Sequence, residues 1–227
     1  MKKSLKILCS FLITAISATT CFSQFHTHEV VAEDSLLKMK AQLLADFGKN
    51  KTFETKIELE CLTALSFFPE LKNTVITFKF GKPVSTMISR PEITSIFKRK
   101  SKREYLVIIR SPNTTKTGFE WTKLNYNALV GWIGHELSHI VMYQKKTNAG
   151  LLFTGIRYIF PSGRMKIEKE TDVCTIWHGL GQALFDGTYY TLFKSEASEN
   201  YKRKLRKYYL LPEDIIKEMS STETPKN

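Results

Sequence analysis

Apolar positions along the chain change period twice, from helical to alternating and back to helical, and those changes divide it. From Asp34 to Leu44, and again from Phe53 to Phe68 before Pro69, apolar residues recur at helical spacing. Thr74 to Phe80 then alternates, with Val75, Ile76 and Phe78 among polar residues, until Gly81-Lys82-Pro83 breaks the pattern. Val84 to Ser89 reads as a partner strand. Tyr105 to Ile109 is the strongest strand signal, β-branched and buried in character, and Ser111-Pro112-Asn113 closes it. After Asn125 the period is helical throughout, with one run to about Lys146 or Gly150 and another from about Ser162 to Phe185. The expectation is an α+β fold: a small, mostly antiparallel sheet against one central helix, followed by a helical C-terminal half.

The N-terminal segment reads as an address. Lys2, Lys3 and Lys6 precede an apolar stretch from Ile7 to Ile16, and small and polar residues follow to Gln24. That order suits a secretory signal, and the apolar run is shorter than the ~20 residues a spanning helix needs. The expected organisation is a signal peptide over 1–23 and a single domain over 24–227, with no transmembrane span in the mature chain. A secreted, periplasmic or cell-envelope location follows. Lipidation at Cys21 is the less favoured alternative, because Ala18-Thr19-Thr20 fits poorly before a lipidated Cys. Cys61 and Cys174 are left as either a disulfide or two buried thiols. No Cys-x-x-Cys pair exists, which excludes thiolate zinc fingers and thioredoxin-type sites.

Charge adds a partner class. The chain holds 34 Lys+Arg against 22 Asp+Glu, a net +12, and +9 once the three leader lysines are set aside. Such an excess favours an anionic envelope surface, with nucleic acid not expected. Lys98 to Arg103 is a dense basic run, read first as a solvated turn guarding a sheet edge. Tyr201 to Tyr209 is read as an ordinary C-terminal helix with Leu205 and Tyr208 inward, against a membrane-surface alternative. A start at Gln24-Phe25-His26 would offer Cu(II) or Ni(II) a minor terminal site.

The chemistry centres on His135-Glu136-Leu137-Ser138-His139. Asn125 or Asn127 can cap this helix, on which His135 and His139 stand one turn apart on one face, ~6 Å between their stems. Both imidazoles can therefore reach one ion. Glu136 lies about 100° round the axis, where it can approach a water without ligating the metal. A buried unpaired Glu costs several kcal/mol, which disfavours reading the motif as plain core. Downstream, Glu168 and Asp172 form an i,i+4 pair on one helix face. Glu168 is the expected third ligand and Asp172 the acceptor that fixes a ligating His, with Glu170 the runner-up ligand. Thr175 and Gly179 continue that face, Gly179 being read as a point of close helix approach. Candidates for stabilising an oxyanion are His178, Tyr189, Tyr190 and Arg157.

With His135, Glu136, His139, Glu168 and Asp172 in an HExxH…ExxxD pattern, the chain resembles gluzincin-type zinc metallopeptidases over about Leu124 to Phe185. No third His follows His139 in the metzincin pattern. The resemblance implies a zincin-like fold, Zn2+ held by His135, His139 and Glu168, Glu136 as general base, and Asp172 behind the ligands. It also implies that the strand Tyr105–Ile109 is the sheet edge beside which an extended peptide lies. A protein or peptide is then the expected substrate. Two rivals remain at this stage: an inactive metal-bearing protein binding an acidic envelope partner, and a hydrolase of cell-wall amides.

Overall fold

A computed structural model describes residues 33–112 and 118–223. The expected leader, Cys21 and the Gln24-Phe25-His26 start lie outside them. The chain divides into Met1–Leu37 and Lys38–Asn227, and the second unit carries everything that follows. Helix α1 (Glu33–Phe47) runs into it, and β1 (Lys51–Thr52), α2 (Glu58–Ser66), β2 (Val75–Gly81), β3 (Met87–Pro91) and β4 (Glu104–Arg110) come next. The remainder is helical: α3 (Tyr126–Gln144), α4 (Asn148–Ile159), α5 (Pro161–Thr175), α6 (Gly181–Tyr189), α7 (Glu199–Tyr208) and α8 (Pro212–Glu223). The α+β expectation holds. Among the described residues no helix is long and apolar enough to cross a membrane.

The sheet corrects two expectations. Its order is β1-β2-β4-β3, with β1 parallel to β2, β2 parallel to β4, and β3 antiparallel to β4. It is mixed, not mostly antiparallel, and Tyr105–Ile109 is interior while β1 and β3 are the edges. The physical reason was in the composition of β4: Tyr105, Leu106, Val107 and Ile109 are all buried, as a strand covered on both faces requires. The connection from β2 to β3 carries the chain past the position that β4 fills. Val75–Gly81 pairs with Glu104–Arg110 in continuous register, and Met87 to Pro91 pairs back from Ile109 to Tyr105.

Helix α3 is the central element, packed against α2, α5, α6 and β3. Ala128 to Val141 is buried without a break, so its apolar residues go all round rather than forming one stripe. Asn125 caps it, its Oδ1 accepting from Ala128 N–H at 2.8 Å. Close packing on α6 rests on Gly131, where a Cβ would stand 2.2 Å from the Ala183 carbonyl oxygen. Gly179 does not serve close approach. It sits at φ +86° inside a π-type segment, Ile176–Leu180, and breaks the expected 162–185 helix into α5 and α6. Helix α4 was not foreseen as an element of its own; Thr147 caps it, accepting from Gly150 N–H. Cys61 and Cys174 are free thiols, which decides against the disulfide. In α7 Leu205 is buried as expected, and Tyr208 lies under the Arg164 guanidinium at 4.7 Å.

Candidate metal centre

Helices α3 and α5 cross so that the three expected ligands meet. His135 Nε2 and His139 Nε2 each lie 3.3 Å from Glu168 Oε2, and the three donor atoms fall within 4.8 Å of one another. The imidazoles stand nearly perpendicular, at 89°, with centroids 4.8 Å apart. All three residues are buried.

Each ring is fixed by its far nitrogen. His135 Nδ1–H donates to Asp172 Oδ1 at 2.8 Å, and the other oxygen of Asp172 accepts from the Leu210 backbone N–H at 2.7 Å. The Thr171 hydroxyl donates to the Ile167 carbonyl at 2.8 Å, so its oxygen is left to accept from His139 Nδ1–H at 3.1 Å. Both rings therefore turn an Nε2 lone pair towards Glu168. Asp172 occupies the place expected for it. Glu170 does not join: it is half-exposed on α5 and faces Lys166.

The donor set fits a small divalent cation. Two ligands ~2.0–2.1 Å from one ion at a tetrahedral angle stand about 3.3–3.4 Å apart, the separation that both imidazoles keep from Glu168. Burial would raise the Glu168 carboxyl, but when no ion is bound and the rings carry a proton on Nε2 as well, hydrogen bonds from His135 and His139 override it and hold the group far below the usual carboxylate range. Burial would lower His135, yet Asp172 and then Glu168 hold it well above an ordinary imidazole.

Glu136 is the fourth member. It is buried one position along α3 from His135, and its Oε2 has no hydrogen-bond partner. An orphaned buried carboxylate oxygen is costly unless something is meant to meet it. Desolvation raises its pKa, partly offset by His139 and His135.

The expected oxyanion stabilisers are elsewhere. His178 donates from Nδ1 to the Cys174 carbonyl, bonds Glu70 through Nε2, and stacks on Phe68. Tyr189 is exposed, stacks on Phe185 and meets Phe193 at a tilt, while Tyr190 lines a separate cavity with Arg110, Trp121 and Glu196. The break at Gly179 separates Tyr189 and Tyr190 from the α5 face that carries Glu168, and His178 points to Glu70 instead. Arg157 is half-buried on α4, one position before the residue that does face the site.

Three residues that sequence reasoning missed lie at the centre. Tyr158 places its hydroxyl 3.5 Å from His139 Nε2. Tyr209 packs its ring 5.4 Å from that of His135. Arg164 approaches Glu168 Oε1 with its Nε at 3.6 Å. Burial first, and Glu168 second, push both phenols well above their ordinary pKa, so they remain donors at any physiological pH. Only the i,i+4 spacing of Arg164 and Glu168 was visible in the sequence.

No family model, curated protein or solved structure matches the chain, so its function rests on the geometry of this centre.

Proposed function

We propose that the chain is a metal-dependent hydrolase of amide bonds, with peptide bonds of proteins as the first substrate class and Zn2+ as the ion. The observation that carries the reading is one donor atom from each of His135, His139 and Glu168 within 4.8 Å of one another, both imidazoles 3.3 Å from the carboxylate, beside the unpartnered Glu136 Oε2. The HExxH…ExxxD pattern supports a gluzincin-type, zincin-like assignment on the same residues.

His135, His139 and Glu168 would hold the zinc ion, which when bound would acidify a water and polarise a carbonyl. Glu136 takes the proton of the attacking water at its free Oε2 and returns it to the leaving amine. Its raised pKa suits both halves of that task. Tyr158, protonated throughout and with its hydroxyl 3.5 Å from His139 Nε2, donates towards the oxygen on which negative charge collects, while Tyr209 packs its ring beside His135. Asp172 and Thr171 keep both imidazoles in the tautomer that ligation needs. The Tyr158 phenol offers the electrophile that an inactive metal-bearing protein would not need, which favours the hydrolase reading over that rival.

The experiment is turnover of an unfolded protein substrate by the purified chain, its arrest by a chelator and its return with Zn2+. The Glu136→Gln variant is expected to keep the metal and lose at least about 100-fold in rate. Full activity in that variant would overturn the mechanism.

A further inference from the structure

Helix α4 presents two faces of opposite use. Leu151, Thr154 and Tyr158 lie within about 60° of one another on its inner side, Leu151 and Thr154 buried and Tyr158 against His139. On the outer side Leu152, Phe153, Ile156 and Ile159, with Phe160 at the helix end, fall within an arc of about 120°. Those five are 53%, 62%, 52%, 76% and 58% exposed. A contiguous ridge of large apolar side chains in water marks an interaction surface. Exposed Ile93 extends it, sharing a cleft of about 300 Å³ with Leu152, Ile96 and Leu151.

Charge identifies what the ridge meets. From Leu137 to Ile167 the sequence holds no acid and five cations; Arg164 and Lys166 face Glu168 and Glu170, which leaves Lys145, Lys146 and Arg157 to border the ridge. The basic run before β4 is tied to the start of the same helix. Lys100 Nζ donates to the Lys145 carbonyl at 3.0 Å, and Arg103 donates to the Lys146 carbonyl at 2.8 Å and to the Asn148 side chain. Exposed Lys98, Arg99, Lys100 and Lys102 are thereby brought beside the apolar ridge, with exposed Phe97 among them; Glu104 is paired with Lys98.

We propose that this outer face of α4 docks on an anionic lipid bilayer, its apolar ridge seated at the acyl boundary and the surrounding lysines and arginines on lipid phosphates. A helix with an apolar face rimmed by cations binds in that way. A second copy of the chain is the poorer occupant, because a two-fold contact would set cations against cations over a segment without acids. Helix α7 offers no such ridge, since its large apolar residues are buried or half-buried and its outer face is charged. Docking through α4 would hold the candidate metal centre, one helix thickness behind, next to the membrane.

The test is co-sedimentation of the purified full chain with vesicles of phosphatidylcholine alone and of phosphatidylcholine with phosphatidylglycerol. The chain is expected to bind the anionic vesicles more tightly, and binding should weaken with salt. The Phe153→Asp/Ile156→Asp double variant should lose at least about tenfold in partitioning, and Lys145→Glu/Lys146→Glu should lose the preference for anionic vesicles. Unchanged circular dichroism in the variants separates loss of docking from loss of fold. The Glu136→Gln variant should bind as the parent does, so docking and hydrolysis succeed or fail separately. No binding by the parent chain, equal binding by the double variant, or a dimeric parent turned monomeric by the double variant would overturn the proposal.

Discussion

Asp172 grips His135 from behind while Glu168 faces it from the front. The Asp172 carboxylate accepts from the His135 ring and from the Leu210 backbone N–H through different oxygens, at 2.8 and 2.7 Å. One residue on α5 therefore sets the tautomer of a ligand on α3 and pins the chain after α7. Asp172→Asn can satisfy only one of those donors and turns an NH2 towards the other. The expected result is a 10–100-fold loss of metal affinity in a chelator competition, with a stability loss of about 1–3 kcal/mol in denaturant melts. Affinity equal to the parent's would show that His135 needs no such support.

The crossing of α3 and α6 makes a second prediction. Gly131→Ala would set a methyl 2.2 Å from the Ala183 carbonyl oxygen, and backbone cannot yield as a side chain does. A loss of about 1–3 kcal/mol or more is expected from forcing the helices apart. Gly155→Ala, on α4 with nothing within 4 Å of the added carbon, should instead stabilise by about 0.5–1 kcal/mol. Chemical denaturation of both variants checks the contrast, and a Gly131→Ala chain of parental stability would contradict the packing described.

His178, set aside as a catalyst, makes a pH prediction. Its contacts with Cys174, then with Glu70, outweigh burial and raise its pKa from 6.5 to about 9. A group held more basic in the folded state binds its proton more tightly there, so its contribution is complete below the unfolded pKa. It disappears as pH climbs from about 6.5 through about 9. Melting of the parent and of His178→Gln should therefore differ most near pH 6 and converge above pH 9. A gap that widened with pH would contradict the assignment.

Much of the centre was legible because its information is local. His135, His139, Glu168 and Asp172 are one-turn pairs, and helical spacing alone puts each pair on one face. That Glu168 meets the imidazoles depends on how α3 crosses α5, which spacing suggests and does not specify. Tyr158 and Tyr209 were missed for that reason: they reach the rings from α4 and from the segment after α7, and nothing in their neighbours' sequence points inward. The order of the strands was missed differently. The apolar run of Tyr105–Ile109 was rightly read as buried, but a strand buried on both faces belongs inside a sheet, and its placement at the edge came from the family resemblance. Gly179 was read for its small size when the chain uses its positive φ.

The central claim is that three side chains from two helices hold one cation. Calorimetric titration of the metal-stripped chain with Zn2+ tests it most directly, alongside Glu168→Gln, which keeps the shape of the side chain and removes its charge. The account predicts one ion per parent chain and binding weakened by at least about tenfold in the variant. A parent chain that takes up no ion, or a variant that binds as tightly as the parent, would contradict it.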